Sequence, residues 1–125
     1  MLARSRKSLL AITDGLTTDQ TGDAVAVVPR SDEVTDQEQS FVALFHLTAE
    51  DGTSPTVDAA VQTSWDEEVW HTIGTMTQLA GAGTKTQMVT CAVVGPFVRA
   101  TVTLGGTAVP TVTGTVELAS SGGLR

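Results

Sequence analysis

Apolar and polar residues alternate along most of the chain with a period of two, which is typical of β-strands. One face of the first clear run is wholly apolar, and it consists of Phe41, Ala43, Phe45, Leu47 and Ala49. The alternation predicts six strands from here onward, at 41–49, 57–64, 69–78, 86–94, 97–104 and 111–118. The N-terminal third predicts two more strands, at 9–13 and 24–28, which a polar loop over 14–23 joins.

The segment 69–78 fits this pattern least well, because Trp70, Ile73 and Met76 recur at helical spacing. Four poor helix formers oppose a helix, namely Thr72, Gly74, Thr75 and Thr77. A bulge near Gly74 would let a strand place Trp70 and Met76 inward despite their spacing. We therefore predict a strand in this segment.

Turns rich in Gly and Pro separate these runs, and no segment shows a convincing helical pattern. Eight short strands with such turns predict an all-β fold, an antiparallel β-sandwich of the jelly-roll kind. The 125 residues suffice for one domain. We expect a basic N-terminal arm over 1–8, the sandwich over 9–119 and a flexible C-terminal tail over 120–125. The expected core consists of Phe45, Leu47, Val61, Val89, Val102, Val112 and Val116.

The net charge of −7 argues against nucleic acid as the main partner. Charge is unevenly spread, since thirteen of the fourteen acids lie between residues 14 and 68, where Arg30 is the only basic residue. The acidic stretch 31–39 has the polar character of an exposed loop. The apolar stretch 9–12 is too short for a secretory leader, and no run is long enough for a membrane span. We therefore expect no membrane partner.

Residue types that carry chemistry are sparse. Cys91 is the single cysteine, so it forms no disulfide within the chain and fits a small core residue better than a nucleophile. His46 lies on the second face of an apolar strand, where we expect a structural role. His71 follows the acids 66–68, so it is either part of a site with them or a surface residue.

The acids form no recognisable catalytic or metal-binding set. Adjacent acids such as Glu67-Glu68 point to opposite faces of a strand, so they form no glycosidase pair. Asp14, Asp19 and Asp23 lack the spacing of an EF-hand loop, although a calcium site elsewhere in the acidic half stays open. We therefore predict no catalytic residue, no metal, no cofactor and no enzymatic activity.

The stretch 41–118 carries a series of signals whose order is more specific than any one of them. The series is an apolar strand, Asp51-Gly52-Thr53-Ser54-Pro55-Thr56-Val57-Asp58, Gln62-x-Ser64, Trp70, Ile73, Thr77-Gln78, Phe97-Val98-Arg99-Ala100, Gly105-Gly106-Thr107 and a closing Thr-Val strand. In this order the signals resemble a group of small virion proteins of tailed phages and prophages. The chain departs from that group where its usual Asp-Gly-Gly is Asp66-Glu67-Glu68, so we expect that hairpin to differ.

The resemblance implies an all-β accessory protein on the capsid surface of the virion, such as a capsid decoration or cement protein. Its implied partners are the major capsid protein and further copies of itself, after assembly in the cytoplasm of the bacterial host. The family has no catalytic residues to carry over. The charged segments near the N-terminus are the candidate contacts with capsid or sister copies, and they comprise Arg4, Arg6, Lys7, Asp32, Glu33, Asp36 and Glu38.

A second hypothesis is a carbohydrate-binding or adhesin-like module on a phage tail or capsid exterior. Trp65 and Trp70 would then form an aromatic platform for a sugar. This hypothesis requires one of the two tryptophans to be exposed beside polar side chains, whereas a cement protein requires an adhesive surface for capsid or for its own copies.

Overall fold

The computed structural model describes residues 6–26, 41–92, 95–106 and 110–120, and the described residues contain no helix. Their strands are β1 (Arg6–Leu16), β2 (Gln20–Thr21), β3 (Val25–Ala26), β4 (Phe41–Glu50), β5 (Thr56–Ser64), β6 (His71–Thr75), β7 (Leu79–Ala80), β8 (Gly83–Cys91), β9 (Phe97–Gly105) and β10 (Thr111–Ser120). The predicted strands after residue 40 are confirmed with small shifts of their ends, except for 69–78.

Two antiparallel sheets face each other, in the orders β1-β10-β4-β8 and β2-β9-β5-β6. The short strands β2 and β3 both pair with β9, and β6 and β7 both pair with β5. We count β2 with β3 as one strand position and β6 with β7 as another, and we number the resulting eight positions along the chain. The strand orders of the two sheets are then 1-8-3-6 and 2-7-4-5. This arrangement of eight positions is that of a jelly roll, and it confirms the predicted fold class.

The central strands keep the strict alternation that the sequence predicts. Along β4, buried residues alternate with more exposed ones. β10 pairs with β4 over ten consecutive residues, from Thr111 with Glu50 to Ser120 with Phe41. Because successive side chains point to opposite faces, this register turns the apolar members of both strands toward the second sheet. The core is therefore a layer between the two sheets.

Six of the seven predicted core residues are buried, and they are Phe45, Leu47, Val61, Val102, Val112 and Val116. Val89 is the exception, because it is only partly buried against this core. It lies on β8, which is the last strand of its sheet, so its inward face is covered from one side only. Val89 therefore packs against the core as predicted, although it is less deeply buried than the other six.

The N-terminal third departs most from the prediction, because β1 continues through Leu16 and Gln20–Thr21 form a strand inside the predicted polar loop. Two irregularities in its pairing with β10 make the longer strand possible, one between Ser8 and Leu10 and one between Ile12 and Leu16. The first is a bulge at Leu9, which explains why the adjacent residues Leu9 and Leu10 are both buried.

The ends of the sandwich also differ from the expected boundaries. Residues 6–8, which the sequence predicts to belong to the N-terminal arm, form the start of β1 and pair with residues 117–119 of β10. β10 in turn extends to Ser120. The remaining residues of the expected arm and tail, 1–5 and 121–125, lie outside the described residues.

The segment 69–78 contains one short strand, β6 at His71–Thr75, and the next strand, β7, begins only after it at Leu79. In the pairing of β6 with β5, Gly74 lies opposite Val61 and Thr72 lies opposite Gln62. Ile73 is therefore an extra residue in β6, which confirms the bulge predicted near Gly74. Met76 is 1% exposed, as predicted. Trp70 is not in the core, because its ring packs against Arg99 on the outer face of the second sheet.

Phe45 is the largest fully buried side chain, and its loss measures how much the core contributes. We expect Phe45→Ala to lower the free energy of unfolding by about 3–5 kcal/mol, through lost burial and the cavity left behind. Met88→Ala is the matched control, since Met88 is 72% exposed. Denaturant unfolding of both variants is the measurement, and an equal, small loss for the two would contradict the position of Phe45 in the core.

Candidate functional site

The candidate contact residues are only partly within the described residues. Arg6 and Lys7 belong to β1, opposite Ala119 and Leu118, and the Lys7 side chain is exposed. Arg4 and the acidic residues Asp32, Glu33, Asp36 and Glu38 lie outside the described residues. The structure therefore places two of the basic residues on an edge strand and leaves their relation to the acidic group a prediction.

In the turn from Ser64 to Trp70, two side chains accept hydrogen bonds from backbone N–H groups that have no backbone acceptor there. Ser64 Oγ accepts hydrogen bonds from the N–H groups of Asp66 (3.2 Å) and Glu67 (2.9 Å). Asp66 Oδ1 accepts hydrogen bonds from the N–H groups of Glu68 (2.9 Å) and Val69 (3.1 Å). Such local acceptors let a turn close without sheet pairing, and they hold Glu67 at a positive φ of 65°.

The same hydrogen bonds favour the charged form of Asp66. The N–H groups of Glu68 and Val69 lower the pKa of this carboxyl below its ordinary value, with the Ser64 hydroxyl as a smaller contributor.

The turn projects two apolar side chains into solvent, since Trp65 is 68% and Val69 is 59% exposed. A glycine would adopt the φ of Glu67 without strain, whereas the Cβ atom of Glu67 makes this conformation unfavourable unless local hydrogen bonds support it.

Trp70, the other candidate aromatic residue, is half-buried rather than free. The guanidinium carbon of Arg99 lies 4.1 Å from the centroid of its ring, a cation–π contact. Arg99 Nε also donates a hydrogen bond of 2.8 Å to Gln62 Oε1 on the neighbouring strand. Trp65 and Trp70 therefore do not form two equivalent free platforms, because Arg99 occupies one face of Trp70.

The outer edge of β8 is a candidate adhesive surface that the sequence did not single out among the strand edges. β8 pairs with β4 over nine consecutive residues without a bulge, and its other edge has no backbone partner among the described residues. Its outer side chains include the exposed Met88 and Thr90. β8 contains one charged residue, Lys85, and no proline. The weak signal in the sequence is this lack of the charges and prolines that usually protect edges.

The other edge strands are less regular. β1 carries the two pairing irregularities described above, while β2, β3 and β7 each have two residues. β6 has five residues and a shift in its register. Short or bulged edges are poor templates for pairing with another chain, so β8 is the edge best suited to that role in the described sandwich.

The two histidines and the cysteine have structural or exposed positions. His46 Nδ1 and Thr86 Oγ1 are 2.7 Å apart in a hydrogen bond between β4 and β8, which fits the expected structural role. His71 is exposed. Cys91 is 6% exposed, as expected for a core residue, and burial raises the pKa of its thiol. A protonated, enclosed thiol is a poor nucleophile.

No group of three or more His, Cys, Asp or Glu side chains suited to a metal ion occurs within the described ranges. Asp19 has a structural use there, since its Oδ1 accepts a hydrogen bond of 2.9 Å from the N–H of Leu104. An open groove runs between β1 and the pair β2–β3, and its lining includes Ser8, Gln20, Thr21 and Asp23. The described part of the chain also contains no helix long and apolar enough to cross a membrane.

Comparison with known proteins gives no family. No family model matches the chain, and no curated protein matches it. Among solved structures, one similar chain comes from work described as "Bacillus endospore appendages form a novel family of disulfide-linked pili". The TM-score is 0.43 at 15% identity, over 97% of this chain and 90% of that chain. A likeness this distant carries no argument about function, and the class of the protein, a jelly-roll β-sandwich, rests on its own strand order.

The lowered pKa of Asp66 makes part of the turn's stability depend on pH. The contribution is complete above the pKa that Asp66 has in the unfolded chain, near the ordinary aspartate value of 3.8, and it is lost as the pH falls through the lower pKa of the folded protein. We expect Asp66→Asn to melt at a lower temperature than the parent protein at neutral pH. This difference in melting temperature should shrink as the pH falls below 3.8. Thermal melting from neutral to acidic pH measures this. Glu68→Gln is the control, since its side chain accepts none of these hydrogen bonds, and a difference independent of pH would contradict the assignment.

Proposed function

We propose that this protein is a structural virion protein of a tailed phage, which binds the assembled capsid as a decoration or cement protein and has no enzymatic activity. The observation that carries the proposal is the free edge of β8, nine regularly paired residues with no backbone partner on their other side in the described sandwich. The order of sequence signals over 41–118 supports the phage context, and the compact jelly roll supports a structural role.

The free edge supplies an adhesive surface of a defined kind. An extended segment of the major capsid protein would pair with the backbone of β8 and extend the four-stranded sheet. Backbone hydrogen bonds would give affinity, and contacts with the exposed side chains of Met88 and Thr90 would give specificity. Arg4, Arg6, Lys7 and the acidic residues of 31–39 are proposed as the charged contacts that orient the protein.

Binding of this kind stabilises the capsid by mass action. A protein that binds the assembled lattice and not the free subunits shifts the equilibrium toward the lattice. A rigid sandwich suits this task because little conformational freedom is lost when it docks. The proposed location is the outer surface of the virion, after assembly in the host cytoplasm.

Co-sedimentation with undecorated capsids tests the role of β8. We expect Met88→Lys/Thr90→Lys to reduce occupancy about tenfold or more, because charges placed along an edge oppose strand pairing. Ala11→Lys/Thr13→Lys is the matched control, since it adds the same two charges to exposed positions of β1, the opposite edge of the same sheet. Equal occupancy for the two variants would contradict the β8 proposal, and no binding of the parent protein would contradict the decoration function itself.

A carbohydrate-binding module is the second candidate, and the exposure of Trp65 favours it. Trp65 is 68% exposed and adjoins the polar residues 66–68. Arg99 would add a hydrogen-bond donor beside the second candidate tryptophan, Trp70. A glycan screen separates the candidates: glycan binding that is lost in Trp65→Ala and kept in Met88→Lys/Thr90→Lys would favour the binding module.

A further inference from the structure

Arg99 lies in a polar row that crosses three strands on the outer face of the second sheet. Its neighbours Val98 and Ala100 are fully buried, so its own side chain points outward. Arg99 pairs with Gln62 on β5, and Gln62 pairs with Thr72 on β6. The row ends beside Trp70, the residue that precedes β6.

Two contacts fix the guanidinium group in place. Arg99 Nε donates to Gln62 Oε1 at 2.8 Å, and the guanidinium carbon stands 4.1 Å from the centroid of the Trp70 ring. The amide of Gln62 is itself oriented by a long hydrogen bond of 3.5 Å from its Nε2 to Thr72 Oγ1. Arg99 has therefore lost most of its side-chain freedom before any partner arrives, so that a further contact costs little entropy.

The fixed guanidinium lacks the partner that its chemistry demands. Its two terminal NH2 groups have no hydrogen bond or ion pair within the described residues, although the chain has a net charge of −7. The two terminal nitrogens of an arginine match the two oxygens of a carboxylate. Arg99 is half-buried and preoriented, and it has no acidic partner in the part of the chain that the structure describes, so it can bind one carboxylate.

The adjacent turn supplies both an apolar contact and the matching acids. Trp65 and Val69 are two of the three large apolar side chains that are most exposed among the described residues. Glu67 and Glu68, between them, are exposed, and their carboxylates have no partner in the described part of the chain. We call Trp65, Glu67, Glu68, Val69 and Arg99 the turn patch.

We propose that the turn patch is the contact face of a symmetric dimer, in which Arg99 of each copy binds Glu67 or Glu68 of the other. A two-fold interface uses the same surface twice, so it needs a patch that carries both members of each contact. The turn patch does so, with a cation, two carboxylates and an apolar pair that would pack on its equivalent. Tryptophan and arginine are also the residue types that most often dominate the binding energy of interfaces.

This proposal goes beyond the proposed function and does not depend on capsid binding. A polyanionic partner fits the turn patch poorly, since one cation is accompanied by two acids. A second copy of the chain fits because it brings opposite charges to both sides at once.

Sedimentation velocity over a concentration series, at low and at high salt, tests the dimer. We expect a reversible monomer–dimer equilibrium that high salt weakens. Arg99→Glu, and separately Glu67→Arg/Glu68→Arg, should each weaken dimerisation about tenfold or more, because like charges then face each other. An equimolar mixture of these two variants should regain association as a heterodimer, which loss of folding would not produce.

Control variants separate this contact from other effects. Glu50→Arg/Asp51→Arg makes the same charge change at the exposed end of β4 and in the turn after it, and this variant should leave the dimer intact. Met88→Lys/Thr90→Lys should also dimerise normally, so failure of the β8 proposal and failure of this one are distinguishable. If Arg99→Glu does not fold, as judged by thermal melting, Arg99→Gln replaces it. A parent protein that stays monomeric at the highest concentration, or association that survives the Arg99 substitutions, would overturn the proposal.

Discussion

The pairing of β10 with β4 over ten consecutive residues is the constraint on which the rest of the sandwich depends. A slip of one residue would turn every buried side chain of these strands to solvent. Gly114 fixes the register further, because a Cβ atom there would collide with the His46 carbonyl oxygen. Phe45 and Val116 face each other in this register, both fully buried. The central ladder thus sets which residues the two outer strands of the sheet, β1 and β8, can pair with.

The two outer strands meet this constraint differently, and the difference gives the surface its properties. β1 accommodates extra residues through a bulge at Leu9 and an irregularity around Gly15, whose φ is +73°. β8 follows β4 without interruption. On that side, Gln87 Oε1 accepts a hydrogen bond of 2.9 Å from the N–H of Thr77 and links the two sheets. β8 is therefore paired regularly with β4 along one edge and is hydrogen-bonded to the second sheet through Gln87, so its outer edge is held in place for pairing with another strand.

The sequence predicted the interior well because burial between two sheets follows the period of two. Phe45 shows this, since its burial depends only on the face of β4 to which it belongs. Val89 shows the limit of the method, because its exposure depends on β8 being the last strand of its sheet, which periodicity does not reveal. At Leu9 and Leu10, two adjacent apolar residues are both buried by a bulge that alternation alone does not predict.

The surface features were beyond sequence reasoning for a related reason. Gln62, Trp70 and Arg99 are distant along the chain, and only the β5–β9 register and the turn before β6 bring them together. The exposure of Trp65 likewise follows from the hydrogen bonds of Ser64 and Asp66 that close the turn. The residue types were visible in the sequence, but their contacts depend on strand order and turn geometry.

The central claim is that the protein acts through the free edge of β8. Amide hydrogen exchange, resolved along the chain and measured for the free protein and for the protein bound to capsids, tests this claim most directly. Alternate backbone N–H groups of β8 point away from β4, so they should exchange rapidly in the free protein. The account predicts that these groups become protected on capsid binding, while the exchange of residues 11–16 of β1, which lie beyond the proposed charged contacts, stays unchanged. Capsid binding that leaves β8 exchange unaltered would contradict it.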